Sequence, residues 1–355
     1  MYKRVFLLAI FAAAGLCSPA VRAQQNKALE VYFVDVEGGQ STLFVSPGGQ
    51  SLLVDTGWPG GRDSGRIAAV AKTAGVSQID YLVITHYHGD HAGGVVDLAS
   101  KIPIRNFVDH GPSQEETRNV PQMYSAYLSV REKGQHILAK PGDKLPVRGL
   151  DIQIISAAAE TIAKPLPGAG APNPACANFV PKDEVADTGL GGENKQSVGM
   201  VVSLGKFRLA DFGDLTWNKE RDLACPNNLI GTIDVYVVSH HGQDISSLPM
   251  LVHAMHPRVA IMDNGAKKGG AVATFETLKT SPGLEDLWQL HYAVDAGDHN
   301  MPEKFIANQG VGGTAATGVP DEPPANYIQL TARPDGSFTV KNSRNGYLKD
   351  YAAKK

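Results

Sequence analysis

Three imidazoles and a carboxylate fall within six positions at His86, His88, Asp90 and His91, in the run Thr85-His86-Tyr87-His88-Gly89-Asp90-His91. Histidine and aspartate supply the borderline nitrogen and hard oxygen donors that suit zinc, and no cysteine competes within the cluster. The run follows the apolar segment Tyr81-Leu82-Val83-Ile84. In extended backbone His86 and His88 point to one side, because the side-chain period is 2, so both can grip one ion. Asp90 and His91 come after the chain turns at Gly89 and face a different point. The spacing suggests two metal ions, not one.

The elements that must position these donors are short strands alternating with helices. Apolar, β-rich runs cover Leu29 to Val36, Ser41 to Ser46, Ser51 to Thr56 and Ile79 to Thr85. Arg62 to Ala74 and Ala92 to Ala99 read as helices, followed by a strand at Ile104 to Val108, a helix at Met123 to Lys133 and a strand at Leu150 to Ser156. The chain from about 160 to 195 holds Pro165, Pro167, Pro172, Pro174 and Pro181 among several glycines. That composition opposes both helix and ladder, so it is read as a long loop and a candidate rim over the site. The pattern then recurs, with strands at Val198 to Leu204, Phe207 to Asp211, Ile233 to Ser239 and Val259 to Met262. Helices are expected near Trp217 to Leu223, Ser247 to His256 and Thr274 to Ser281, and a closing hairpin turns around Pro334-Asp335-Gly336. Three more apolar strands end in metal-competent or orienting groups: Asp55-Thr56-Gly57, Asp211-Phe212-Gly213-Asp214 and Ser239-His240-His241-Gly242. Strand ends are where sites gather in layered α/β folds.

The 355 residues, 43% hydrophobic, are ample for a core. Lys3-Arg4, the apolar run Val5 to Ala14 and Val21-Arg22-Ala23 read as a secretion signal cut after Ala23, too short to anchor in a membrane. The expected product is a single domain over 24–355, exported to a periplasm or the exterior. Loss of Lys3, Arg4 and Arg22 takes the formal charge from −3 to −6, which argues against a stable nucleic-acid partner. Cys176 and Cys225 then remain, and a disulfide and two free thiols stay equally open.

The ordered set of Asp-Thr-Gly, Thr-His-x-His-x-Asp-His, Gly-Asp and His-His-Gly resembles the metallo-β-lactamase fold superfamily of metallo-hydrolases. Val34-Asp35-Val36 with Gly38-Gly39-Gln40, Asn194-x-x-Ser197-Val198, Gly213-Asp214 and His240-His241-Gly242 look like the zinc-hydrolase domain of the DNA-uptake protein ComEC and its stand-alone relatives. The resemblance implies a four-layer αββα sandwich with the site at one edge. It implies His86 and His88 on a first zinc, Asp90 and His91 on a second, and Asp214 bridging both. One of His240 and His241 completes the second site, with His240 favoured because it directly follows the strand. Asp55 is the outer residue that fixes the ligand loop, with an ordinary turn aspartate as the alternative. The third histidine usual in that superfamily is missing, and Asn194 stands there; Asn194, water or His110 could fill the gap. His291 and His299 could line the pocket, and Lys267-Lys268 could face an anionic substrate, although a solvated loop explains those lysines as well.

The function expected is a zinc hydrolase acting through metal-activated water, with Asp90 and Asp214 as its working carboxylates, on a phosphoester or related anionic small molecule. A lactonase or β-lactamase is the second reading. A metal-binding protein without turnover is the third, and a di-iron oxidoreductase a further one.

Overall fold

The structure is a computed structural model that describes residues 28–117, 119–179, 192–309 and 326–354. The expected leader and its cleavage point lie outside the described residues, as does Pro181 of the long loop. Two nine-stranded sheets form the frame. The first contains β1 (Leu29–Phe33), β2 (Thr42–Val45), β3 (Ser51–Val54), β4 (Ile79–Val83), β5 (Ile104–Asp109) and β6 (Gln135–Leu138). The second contains β7 (Lys144–Leu145), β8 (Asp151–Ala157), β9 (Glu160–Thr161), β10 (Gly199–Leu204), β11 (Phe207–Asp211), β12 (Val235–Val237), β13 (Val259–Met262), β14 (Asp286–His291) and β15 (Ile306–Asn308). The last three strands, β16 (Ile328–Ala332), β17 (Phe338–Asn342) and β18 (Leu348–Tyr351), return to the first sheet, where β16 pairs with β1.

Alternation along the strands builds the layers. In β1, Leu29, Val31 and Phe33 enter an apolar layer that also holds Ile154, Met200, Val202 and Trp288 of the second sheet, whereas Tyr32 joins the outer face. Ile67 and Val70 of the helix Arg62–Thr73 and Tyr127 of the helix Val120–Arg131 pack on that outer face against Leu53 and Leu82. On the far side, Leu223, Leu251 and Leu278, from the helices Trp217–Ala224, Pro249–Met255 and Val272–Lys279, cover Ala210, Tyr236 and Ala260. Helix, sheet, sheet, helix is the expected αββα sandwich.

β3 to β6 run parallel, and so do β11 to β15. The carboxyl ends of each parallel set therefore fall along one edge, and the candidate donors leave from those ends. Within the long loop, the described residues hold β9, the 3-10 segment Pro174–Asn178 and the start of the 3-10 turn Asn194–Gln196. Cys176 of that segment is disulfide-bonded to Cys225, which closes the choice between bridge and free thiols. Short strands β6, β7, β15 and β18, and the longer β14, go beyond the sequence expectation.

Candidate metal centre

Asp55, at the end of β3, organises the centre from beneath. Its φ of 60° is left-handed, a conformation aspartate tolerates better than most residues. The turn brings Oδ1 to the Thr85 N–H (2.8 Å), and Oδ2 to the Thr85 hydroxyl (2.7 Å) and to His91 Nδ1 (2.7 Å). With Nδ1 committed to a carboxylate, His91 presents Nε2 to the centre.

Four donors converge there. His91 Nε2 lies 3.4 Å from Asp90 Oδ2, 3.2 Å from Asp214 Oδ2 and 3.2 Å from His241 Nε2. His241 Nε2 lies 3.2 Å from Asp90 Oδ2 and 3.5 Å from Asp214 Oδ1. Four donors at roughly 2.0–2.1 Å from a common tetrahedral centre would stand about 3.3 Å apart. All four residues are buried. Two observations fit a bound cation. The Nε2 atoms of His91 and His241 face each other while their Nδ1 atoms face the carboxylates of Asp55 and Asp263, and Asp214 Oδ1 is buried without a hydrogen-bond partner.

The charges tell the same story. Burial alone would lower His91, but Asp214, Asp90 and Asp55 hold it well above its ordinary value. Burial and Lys268 oppose protonation of His241, yet Asp214 and Asp263 push it up to about 10. Burial would raise both Asp90 and Asp214; Lys268 and His91 hold Asp90 well below the carboxylate range, and His240, His91 and His241 do so for Asp214. Without an ion, protons balance these carboxylates, and a divalent cation would displace them.

His86 and His88 stand beside this set. His86 Nε2 is 3.0 Å from His88 Nδ1 and 3.9 Å from Asp214 Oδ2. The two imidazoles meet, as their extended spacing requires. His86 Nδ1 faces the Thr85 hydroxyl at 3.1 Å, and His88 Nε2 faces Glu115 Oε2 at 3.1 Å. Burial and the neighbouring imidazoles keep His86 well below its ordinary value, so its Nε2 lone pair is available.

Three expectations are corrected. His241, not the favoured His240, joins Asp90, His91 and Asp214. Residues 240 and 241 both adopt φ 56°, so the chain has left strand alternation, and the second imidazole turns to the centre. His240 lies at the cleft wall, with Nδ1 3.2 Å from Ser246 Oγ and Nε2 3.3 Å from Asp214 Oδ2. His110 is turned away from the donors, with Nε2 3.1 Å from Glu193 Oε2. His291 belongs to a separate cluster with Asp35. Asn194 is brought to the site and lines its cleft.

Sequence reasoning missed Glu115, which braces His88, and Glu193, which accepts from His110, Ser113 Oγ and the backbone N–H groups of Tyr87 and Gln114. Glu193 directly precedes Asn194, the only signal it offered; Glu115 offered none. Gln40 was placed only in the opening turn, yet its amide donates to both oxygens of buried Asp211, at 2.9 and 2.8 Å. Gly39 is needed there, since a Cβ would strike the Asp90 carbonyl.

A cleft of about 290 Å³ opens onto the donors, walled by Trp58, Asn194, His240, Gln243 and Lys268 among others. Lys268 Nζ contacts Asp90 Oδ2, donates to the Gly38 carbonyl at 2.8 Å and sits 5.2 Å from the Trp58 ring centre.

Residues 34–176 match the family model of the Metallo-beta-lactamase superfamily. Recombination protein 2 of Haemophilus influenzae is 26% identical over 239 residues, 66% of this chain and 24% of that protein. The Beta-lactamase-like protein 2 homolog of Caenorhabditis elegans is 39% identical over 66 residues, 18% of this chain and 22% of that one. The chain thus spans about a fifth to a quarter of the curated relatives it matches. Among solved structures, the metallo-beta-lactamase fold protein YhfI from Bacillus subtilis is similar at a TM-score of 0.44 and 13% identity, over 74% of this chain and 95% of that one.

Proposed function

We propose that this metallo-beta-lactamase superfamily chain is an exported, metal-dependent hydrolase that holds two zinc ions and acts on a phosphoester or related anionic small molecule. The observation that carries the reading is the convergence of Asp90, His91, Asp214 and His241 around a point where buried lone pairs meet. Divalent ions in such a set supply Lewis-acid activation of water and of a substrate oxygen. Asp90, His91, Asp214 and His241 would hold one ion; His86 and His88 would share Asp214 with the other. Asp55 fixes the tautomer of His91, and Glu115 does the same for His88.

Asp214, which lies between the two imidazole pairs, would be the carboxylate that orients the attacking water. Trp58 and Ile245 line the cleft walls, and the Lys268 ammonium, held by Asp90 and the Gly38 carbonyl, would become available to a substrate anion once an ion takes Asp90. That cation favours an anionic substrate over a neutral lactone. Export is supported by the Cys176–Cys225 bridge, which persists in oxidising compartments. Among the described residues no helix is long and apolar enough to cross a membrane.

Parallel assays with bis-nitrophenyl phosphate, an acyl-homoserine lactone and nitrocefin test the reading. Phosphodiester hydrolysis that disappears on chelation and in His88→Ala is expected. Turnover of the lactone or nitrocefin alone would replace the substrate class, and metal content without turnover on any of the three would make this a binding protein.

A further inference from the structure

We infer that the side-chain carbonyl of Asn194 is a protein donor to the first ion, beside His86, His88 and Asp214; the inference rests on the metal-dependent reading above. His86 Nε2, His88 Nδ1 and Asp214 Oδ2 are three donors, and a four-coordinate centre needs one more. Three side chains near the gap can be compared. His110 has spent Nε2 on Glu193. His240 has Nδ1 3.2 Å from Ser246 Oγ and Nε2 3.3 Å from Asp214 Oδ2, so both of its nitrogens have a polar neighbour. Asn194 is different. It is 3% exposed, lines the same cleft as His88 and Asp214, and its Oδ1 is buried with no hydrogen-bond partner. An amide oxygen carries only lone pairs, and burying one unpartnered costs about 1–3 kcal/mol, so the position calls for a cation or a donor.

The backbone around Asn194 is bolted to the other donors. Its 3-10 turn, Asn194–Gln196, is closed by the Ser197 N–H on the Asn194 carbonyl at 3.1 Å. The Ser197 hydroxyl accepts from the Asp214 N–H at 3.2 Å, and the Val198 N–H donates to the Thr85 carbonyl at 3.0 Å. One side, Glu193, is locked by its buried carboxylate. The turn is therefore fixed relative to Asp214 and to the strand end that carries His86. A carbonyl in place of an imidazole leaves this position with oxygen for half of its donors, and with weaker hold on zinc than the set around His241.

The test uses the full chain, stripped of metal and titrated with zinc by calorimetry, with ions per chain counted after dialysis. The wild type is expected to show two classes of site. Asn194→Ala should weaken the looser class at least about tenfold, a loss that even an outer-shell partner can cause, and leave the tighter class unchanged. Asn194→His and the isosteric Asn194→Asp should retain two ions and tighten the looser class, which also guards against a misfolded Ala variant. His240→Ala should leave both classes in place. The inference is overturned if Asn194→Ala keeps both affinities, if Asn194→Asp does not tighten either, or if the wild type binds a single ion. A single-ion wild type that still cleaves a phosphodiester would sink this inference and the second zinc while leaving the metal-dependent hydrolase reading in place; a chain that binds no metal would sink that reading too.

Discussion

Among the described residues, two largely buried clusters have the composition of a metal site, and only one is built like one. Asp90, His91, Asp214 and His241 form the first; Asp35, Glu37 and His291 form the second. In both, the donor atoms lie within 4.8 Å of one another. In the second, His291 Nε2 sits 2.8 Å from Asp35 Oδ1, and the Arg66 guanidinium reaches Asp35 Oδ2 and Glu37 Oε1, each at 3.2 Å. Arg66 is itself largely covered and permanently charged, so its carboxylates are neutralised from within. The first cluster has only Lys268, which contacts Asp90 Oδ2 from a flexible stem that is a third exposed at the cleft. Proximity of donors does not make a metal centre; the absence of a fixed internal cation does as much.

The largest effect should come from the first cluster. His91→Ala or Asp214→Ala should lower kcat/KM for the phosphodiester by more than about 10³-fold, roughly 4 kcal/mol of barrier, with the tighter ion lost. His291→Ala should keep the full metal content, and loss of an ion there would break the comparison. Next comes the second cluster. Arg66→Met leaves buried carboxylates uncompensated and should cost about 3–5 kcal/mol in denaturant unfolding, while the metal count holds. Uptake of an extra divalent ion by that variant, with no loss of stability, would show that Arg66 was not what closes the cluster.

The contrast also explains what the sequence could and could not disclose. His86 and His88 follow the apolar strand β4, Asp90 and His91 sit in the helical turn just after it, Asp55 follows β3 and Asp214 follows β11; parallel strands deliver their ends to one edge, so local pattern and topology agree. The choice between His240 and His241 needed the backbone. Two consecutive left-handed residues overturn the preference for the histidine that directly follows the strand, and nothing in Ser-His-His-Gly announces them. Glu115 and Glu193 act from loops whose paths are set by distant packing, so no spacing reveals them. Arg66 is equally silent: on a helix wheel it is one more surface cation, and only β1's continuation brings Asp35 beneath it. Strands interleaved with helices were readable from periodicity and the four-layer frame from the superfamily resemblance, whereas β6, β7, β15 and β18 are too short to carry a period, and β14 was hidden because all six of its residues are buried.

A smaller effect sharpens the first cluster. Glu115 touches no donor set of its own; it holds His88 Nε2 so that Nδ1 faces the ion. Glu115→Gln should weaken the looser metal class by about 10–100-fold, the usual cost of an outer-shell partner, and leave the His241 class alone. Equal weakening of both classes in calorimetry would mean that Glu115 supports the fold and not the imidazole.

The smallest effect is a matter of pH and belongs to the second cluster. Burial works against a charged His291, but Asp35 and Glu37 overcome it and hold its pKa above the ordinary value of 6.5. A raised folded-state pKa contributes stability that is complete below the unfolded value and fades as pH climbs through the folded one. Asp35 runs the other way: burial would raise it, but His291 and Arg66 keep it below 3.8, so its contribution is present above that value and is lost on acidification. Glu37, raised above 4.5 by burial and Asp35, adds stability only while protonated, so stability from this cluster should be greatest in acidic solution and decline toward alkaline pH. In melting curves on metal-free protein, His291→Gln should flatten the alkaline decline by on the order of 1–2 °C relative to wild type. An unchanged slope would mean that His291 is neutral in the folded chain, and that Arg66 alone balances the two carboxylates.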